Sequence, residues 1–189
     1  MPKYFEFEVS LKDIRPRIWR RFLLREAATF RELHDGIQAA GPWQDSHLWE
    51  FCTVDRRKVI AGVLYDDAPR PIPDAKRIKV GSSLTAPGKK CLYRYDFGDD
   101  WEHEVVLRQV VELADAFRGR LLAGRRAFPP EDCGGVPGYY ECLAAVGAYS
   151  FPANSEGAPS AADLAERREW LGKWTPDFDL AAAKKEFDH

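Results

Sequence analysis

The sequence has no C-x-x-C pair, no dominant charge of one sign, no apolar run long enough to cross a membrane, and no repeat or low-complexity stretch. Each absence excludes something. The four cysteines, Cys52, Cys91, Cys133 and Cys142, lack the spacing of a zinc or redox motif. Met1-Pro2-Lys3 leads directly into a strand-like segment with no secretory apolar core, so reduced thiols and a cytoplasmic location are expected. A formal net charge of -2 argues against broad coating of nucleic acid, where affinity comes from neutralised phosphates. Without a membrane-length apolar run, no membrane partner is expected. A phosphate loop, a G-x-S-x-G elbow, a dinucleotide fingerprint and H-E-x-x-H are also missing. No complete catalytic set is present, so enzymatic activity stays open. No cofactor is assigned, and a divalent metal is the one group the residues admit.

At 189 residues and 45% hydrophobic, the chain can build a core without disulfides. One domain over residues 1–189 is expected: a sheet-and-helix core over 1–113, with a helical and loop part over 114–189 packed on it. Residues 4–11 alternate, with Phe5, Phe7, Val9 and Leu11 on one face, which marks a half-buried strand. Residues 17–24 follow as its hairpin partner. Thr29 and Glu32 form a capping box ahead of a helix over 29–40, whose buried stripe is Phe30, Leu33, Ile37 and Ala40. Gly41, in a left-handed conformation, and Pro42 would end it. Strands over 47–54 and 58–64 and a hairpin of 91–97 with 101–113 come next. Helices are expected over 114–126, 139–149, 160–171 and 179–187, with loops over 128–138 and 152–159. The element order suggests an α+β fold, a β-grasp-like antiparallel or mixed sheet packed on one main helix with additional C-terminal helices.

The most chemically dense stretch is YRYDFGDDWEH, residues 93–103. An odd turn around Gly98-Asp99-Asp100 sets Phe97 opposite Trp101, Tyr95 opposite His103 and Arg94 opposite Glu104, leaving one side of the ribbon aromatic. His103 is then either a core-edge histidine bonded to a tyrosine or a carbonyl, or the rim of a pocket beside Asp96 or Asp99. Three segments can converge on it: Trp43-Gln44-Asp45-Ser46-His47, Pro129-Pro130-Glu131-Asp132-Cys133-Gly134-Gly135, and Trp19 with Arg20 and Arg21. The candidate ligand or metal residues are therefore His47, Asp96, Asp99, Asp100, His103, Glu131 and Asp132. Cys133 is a nucleophile only if His103 or His47 lies beside it. Arg17, Trp19 and Arg21 are candidate nucleic-acid contacts; pairing of these arginines with Glu6 and Glu8 across the hairpin is the plainer alternative.

These segments, together with Ile14-Arg15-Pro16-Arg17-Ile18-Trp19-Arg20-Arg21 and Leu33-His34, resemble the plasmid pRiA4b open-reading-frame-three-like family, in order from about Tyr4 to Leu143. The resemblance implies a soluble bacterial or archaeal α+β protein, in some cases encoded on plasmids or as a passenger of insertion elements. It implies no particular reaction, and the chain has no serine-recombinase pattern. Where the family commonly has His-Leu-His, this chain has His47-Leu48-Trp49, which removes a second histidine ligand there. The best reading at this level is a binding or accessory module with an aromatic–acidic surface for a ligand or protein segment. The alternatives are a metal-assisted hydrolase or nucleic-acid-processing enzyme, and a nucleic-acid-binding protein.

Overall fold

The computed structural model describes residues 1–152 and 155–188. The alternation at the N-terminus becomes strand β1 (Lys3–Leu11), which pairs with β2 (Trp19–Arg25) in a hairpin. Helix α1 (Phe30–Ala40) has the capping box in full: the Thr29 side chain accepts from the Glu32 N–H, and Glu32 reaches back to the Thr29 N–H. Strands β3 (Trp49–Cys52), β4 (Val59–Gly62), β5 (Lys90–Tyr95), β6 (Trp101–Glu112) and β7 (Gly119–Arg125) follow, then helices α2 (Gly135–Ala145), α3 (Ala161–Leu171) and α4 (Leu180–Phe187). The result is an α+β architecture built on a seven-stranded sheet of order β4-β3-β5-β6-β1-β2-β7, antiparallel at every strand pairing.

The alternation also decides which face is buried. Phe5, Phe7, Val9, Phe22, Tyr93, Tyr95, Trp101 and Val105 share the inner face with the stripe of α1. On the outer face, Glu50 and Glu102 are nearly fully buried beneath arginines. Arg70 and Arg94 hold Glu50 at 2.9 and 3.2 Å, and Lys12 holds Glu102 at 2.8 Å.

Four local expectations change. Helix α2 spans Gly135–Ala145 and not 139–149, so its first turn takes up the end of the expected 128–138 loop and residues 146–149 are not helical. Residues 114–126 contain no helix; β7 lies there, with Leu121 opposite Phe22 and fully buried. The Ala, Leu and Arg content favours a helix locally, but the free edge of β2 offers a ladder and a core position that outweigh it. Gly41 ends α1 at φ -100 and not in the left-handed region. Its lack of a side chain serves packing instead, because a Cβ there would lie 2.2 Å from the Phe128 ring. The β5–β6 register keeps the expected parity but moves by two: Tyr95 faces Trp101, Tyr93 faces His103, and Arg94 faces Glu102. Asp96 begins the reversal earlier. It adopts φ 54, and its Oδ1 accepts from the N–H groups of Gly98 and Asp99 at 2.9 and 3.3 Å, so Phe97 leaves the ladder. Of the expected 152–159 loop, residues 153–154 lie outside the described residues.

Candidate functional site

Three connections meet at the end of the inner face where β5 turns into β6: the loop after α1, the turn 96–100, and the segment 127–134 ahead of α2. Trp43 joins them. Its ring stacks on Tyr95 at 4.9 Å, meets Phe128 at 5.1 Å, and its indole N–H donates to the Pro129 carbonyl at 2.9 Å.

Two carboxylates strap the loops together. Glu131 accepts from the Tyr95 hydroxyl and, at 3.0 Å, from the Gln44 N–H. Burial first, then Glu131, holds the Tyr95 phenol well above its usual range. Asp99 Oδ2 accepts from the Gly134 N–H at 3.0 Å, tying the hairpin turn to the start of α2.

Between these straps, His47 Nε2 lies 3.1 Å from Asp132 Oδ1 and 3.7 Å from Asp96 Oδ2. All three donor atoms fall within 4.8 Å of one another. Although the His47 side chain is 27% exposed, its Nε2 is buried and makes no hydrogen bond of good geometry. Asp96 uses Oδ1 in its own turn, which leaves Oδ2 aimed at His47. Asp132, at φ 57 and with its side chain 70% exposed, closes the solvent side.

The structure thus gathers His47, Asp96 and Asp132 into one cluster, with Asp99 and Glu131 as struts beside it. Asp100 turns to the outer face, where it pairs with Arg94 at 2.8 Å. His103 lies in the core and not at a rim: it is fully buried, with Trp43 edge-on at 5.4 Å and Tyr93 and Phe128 around it. Neither of its ring nitrogens has a hydrogen-bond partner among the described residues. Burial pushes its pKa down to about 3, only partly opposed by the nearby backbone carbonyls of Tyr93 and Trp101. Cys133 is buried too, and the Cys142 thiol together with burial raises its pKa, keeping it protonated. On the hairpin, Arg17 pairs with Glu8 at 2.9 Å and Arg21 with Glu6 at 3.2 Å, while Trp19 is half-buried beside them.

A second polar cluster, around His34, was not among the candidates. Tyr93 O–H donates to His34 Nδ1 at 2.8 Å, and His34 Nε2–H donates to Asp45 Oδ1 at 2.8 Å. The Asp45 N–H donates to Gln38 Oε1, and Gln38 Nε2 donates back to the Tyr93 hydroxyl, which closes a ring. Trp49 stacks on the imidazole at 3.8 Å, so the residue that replaces a second histidine serves this cluster. Burial pushes the His34 pKa down to about 4 against the opposing pull of Asp45. The spacing of Phe30, Leu33, His34 and Ile37 carries the missed signal, since it places His34 on the buried stripe.

Fold and site together define an α+β protein whose polar mouth is assembled from three loops over an aromatic floor. The chain belongs to the plasmid pRiA4b ORF-3-like protein family, whose model matches residues 3–185. An uncharacterised protein of Sinorhizobium fredii, y4hQ, is 33% identical over 177 residues, covering 93% of this chain and 84% of that protein. The crystal structure of a protein of unknown function, MM3350 from Methanosarcina mazei Go1, matches with a TM-score of 0.78 at 30% identity, over 97% of each chain.

Proposed function

We propose that this protein is a binding module whose aromatic–acidic mouth holds a divalent cation through His47, Asp96 and Asp132. The observation that carries the reading is the buried, unbonded Nε2 of His47 facing two carboxylates within 4.8 Å. A neutral imidazole with two carboxylates balances a dication and suits zinc or manganese better than calcium, which favours an all-oxygen shell. Asp99 and Glu131 fasten the loops that carry the donors, Asp99 to the Gly134 N–H and Glu131 to Tyr95 and the Gln44 N–H.

Metal-assisted hydrolysis is the second reading. It is favoured by the exposure of Asp132, since three protein donors leave a position for water on that side. Nucleic-acid contact through Arg17, Trp19 and Arg21 has less support, because Glu8 and Glu6 already offset both arginines. Work in a plasmid or mobile element is supported by the family's description alone. A reducing compartment is supported by four free, buried cysteines.

Calorimetric titration of metal-free protein with Zn²⁺ and Mn²⁺ tests the reading. One site per chain is expected, weakened at least tenfold in Asp96→Asn, a change that keeps the turn-forming Oδ1 and removes the charge. Absence of binding, or equal binding in the variant, would remove the proposal.

A further inference from the structure

Arg20 is a charge in the core with no counter-ion among the described residues. It is 1% exposed, and no carboxylate pairs with it among the described residues. Its Nε donates to the Ala40 carbonyl at the end of α1 at 2.8 Å, and Nη1 donates to the carbonyls of Trp19, Arg125 and Arg126. Nη2 has no acceptor among the described residues. Burial lowers the Arg20 pKa to about 9, so the group remains charged at neutral pH.

The guanidinium sits 3.6 Å from the Phe178 ring centroid and 4.7 Å from that of Phe128. Gly124 makes this possible, since a Cβ there would lie 2.7 Å from both Arg20 Cδ and the Phe178 ring. Arg20, Trp43, Phe128, Trp174 and Phe178 together line a cavity of about 380 Å³. That is the scale of a small organic ligand, and aromatic walls with a few polar groups at the edge are typical of such sites; Arg20 is the one cation in this lining.

We propose that this cavity binds a small planar organic monoanion of the aryl-carboxylate class, its carboxylate on Arg20 Nη2 and its ring among the four aromatic side chains. A guanidinium with an open donor complements a carboxylate in both charge and plane. Further carboxylates line the cavity and narrow the class. Asp179 is committed to capping α4, and Glu131 to Tyr95 and Gln44, whereas Asp177 and Glu186 are exposed and have no cationic partner among the described residues. Their charges oppose a phosphate or dicarboxylate more than a single carboxylate. The site does not depend on the cation reading.

Titration calorimetry of the full chain with 1-naphthoate and with the neutral 1-naphthamide tests this. Naphthoate is expected to bind at one site at least tenfold more tightly than the amide, and naphthalene-1,4-dicarboxylate more weakly than naphthoate. Ala183→Trp fills the cavity from α4 without touching Arg20 and is expected to weaken naphthoate at least tenfold. Arg20→Met is expected to abolish the preference for acid over amide. Because that change also threatens folding, the acid-to-amide ratio of the wild-type chain and the Ala183→Trp result decide. Equal affinities for acid and amide, no naphthoate binding at millimolar concentration, or unchanged binding in folded Ala183→Trp would overturn the assignment.

Discussion

His34 and His47 stand on either side of one short loop, each with an aspartate within reach, yet their surroundings differ in kind. Around His34 the hydrogen bonds close on themselves: imidazole, Tyr93, Gln38 and Asp45 each satisfy a neighbour, and the imidazole is fully buried. Around His47 they do not close, because Nε2 faces two carboxylates without forming a hydrogen bond and one of those carboxylates opens to solvent. A cluster that satisfies itself acts as structure, whereas one left incomplete is matched to something from outside. His103 marks a third condition, buried and without a hydrogen-bond partner among the described residues, where the surrounding aromatic packing outweighs an unmet polar group.

The comparison can be broken most forcefully at His34. His34→Ala removes the acceptor of the Tyr93 O–H and one of the two partners of Asp45, which keeps Arg31, and empties the space beneath Trp49, with an expected loss of about 3 kcal/mol in chemical denaturation. A loss below about 1 kcal/mol would mean that the ring of hydrogen bonds carries little of the fold.

A second effect is set by pH. Histidines held neutral at a lowered pKa are protonated in the unfolded chain below about pH 6.5, while the folded protein resists until about 4 for His34 and about 3 for His103. The unfolded state therefore binds more protons across this window, and stability falls as pH drops. The two groups together contribute a loss on the order of 3 kcal/mol between pH 7 and pH 5. His103→Leu is expected to remove about half of that dependence. At neutral pH it is also expected to stabilise by about 1 kcal/mol, since it replaces an unbonded polar ring with an apolar side chain. Denaturant midpoints across the pH range check both statements.

The smallest expected effect is at the mouth. Without added cation, His47→Ala should change stability by no more than about 0.5 kcal/mol, because the half-exposed ring makes no closed hydrogen bond. A cost comparable to that of His34→Ala would assign His47 to structure and erase the contrast.

How much of this was legible in the sequence follows from where local rules held. Thr29 and Glu32 announced α1 because a capping box is satisfied within four residues. The parity of the β5–β6 hairpin followed from the need to bury Tyr93, Tyr95 and Trp101 on one face, but its exact pairing depended on Asp96 closing the turn with its own side chain. β7 was hidden because its helix-favouring residues become a strand only against the edge of β2, a partner about a hundred positions away. The loops that would meet were legible from their Trp, Asp and Gly content. That His47, Asp96 and Asp132 would converge while Asp100 and His103 would not depends on side-chain direction at a register the pattern alone leaves two residues loose.

On the proposed reading, a cation completes the His47 cluster and not the His34 cluster. The most direct measurement is thermal unfolding of metal-free protein with and without saturating Mn²⁺ or Zn²⁺, in the wild type and in His47→Ala. The wild type is expected to gain about 2–3 kcal/mol at a hundredfold excess over the dissociation constant, and His47→Ala to gain nothing. An unshifted wild type, or an equal gain in both proteins, would contradict it.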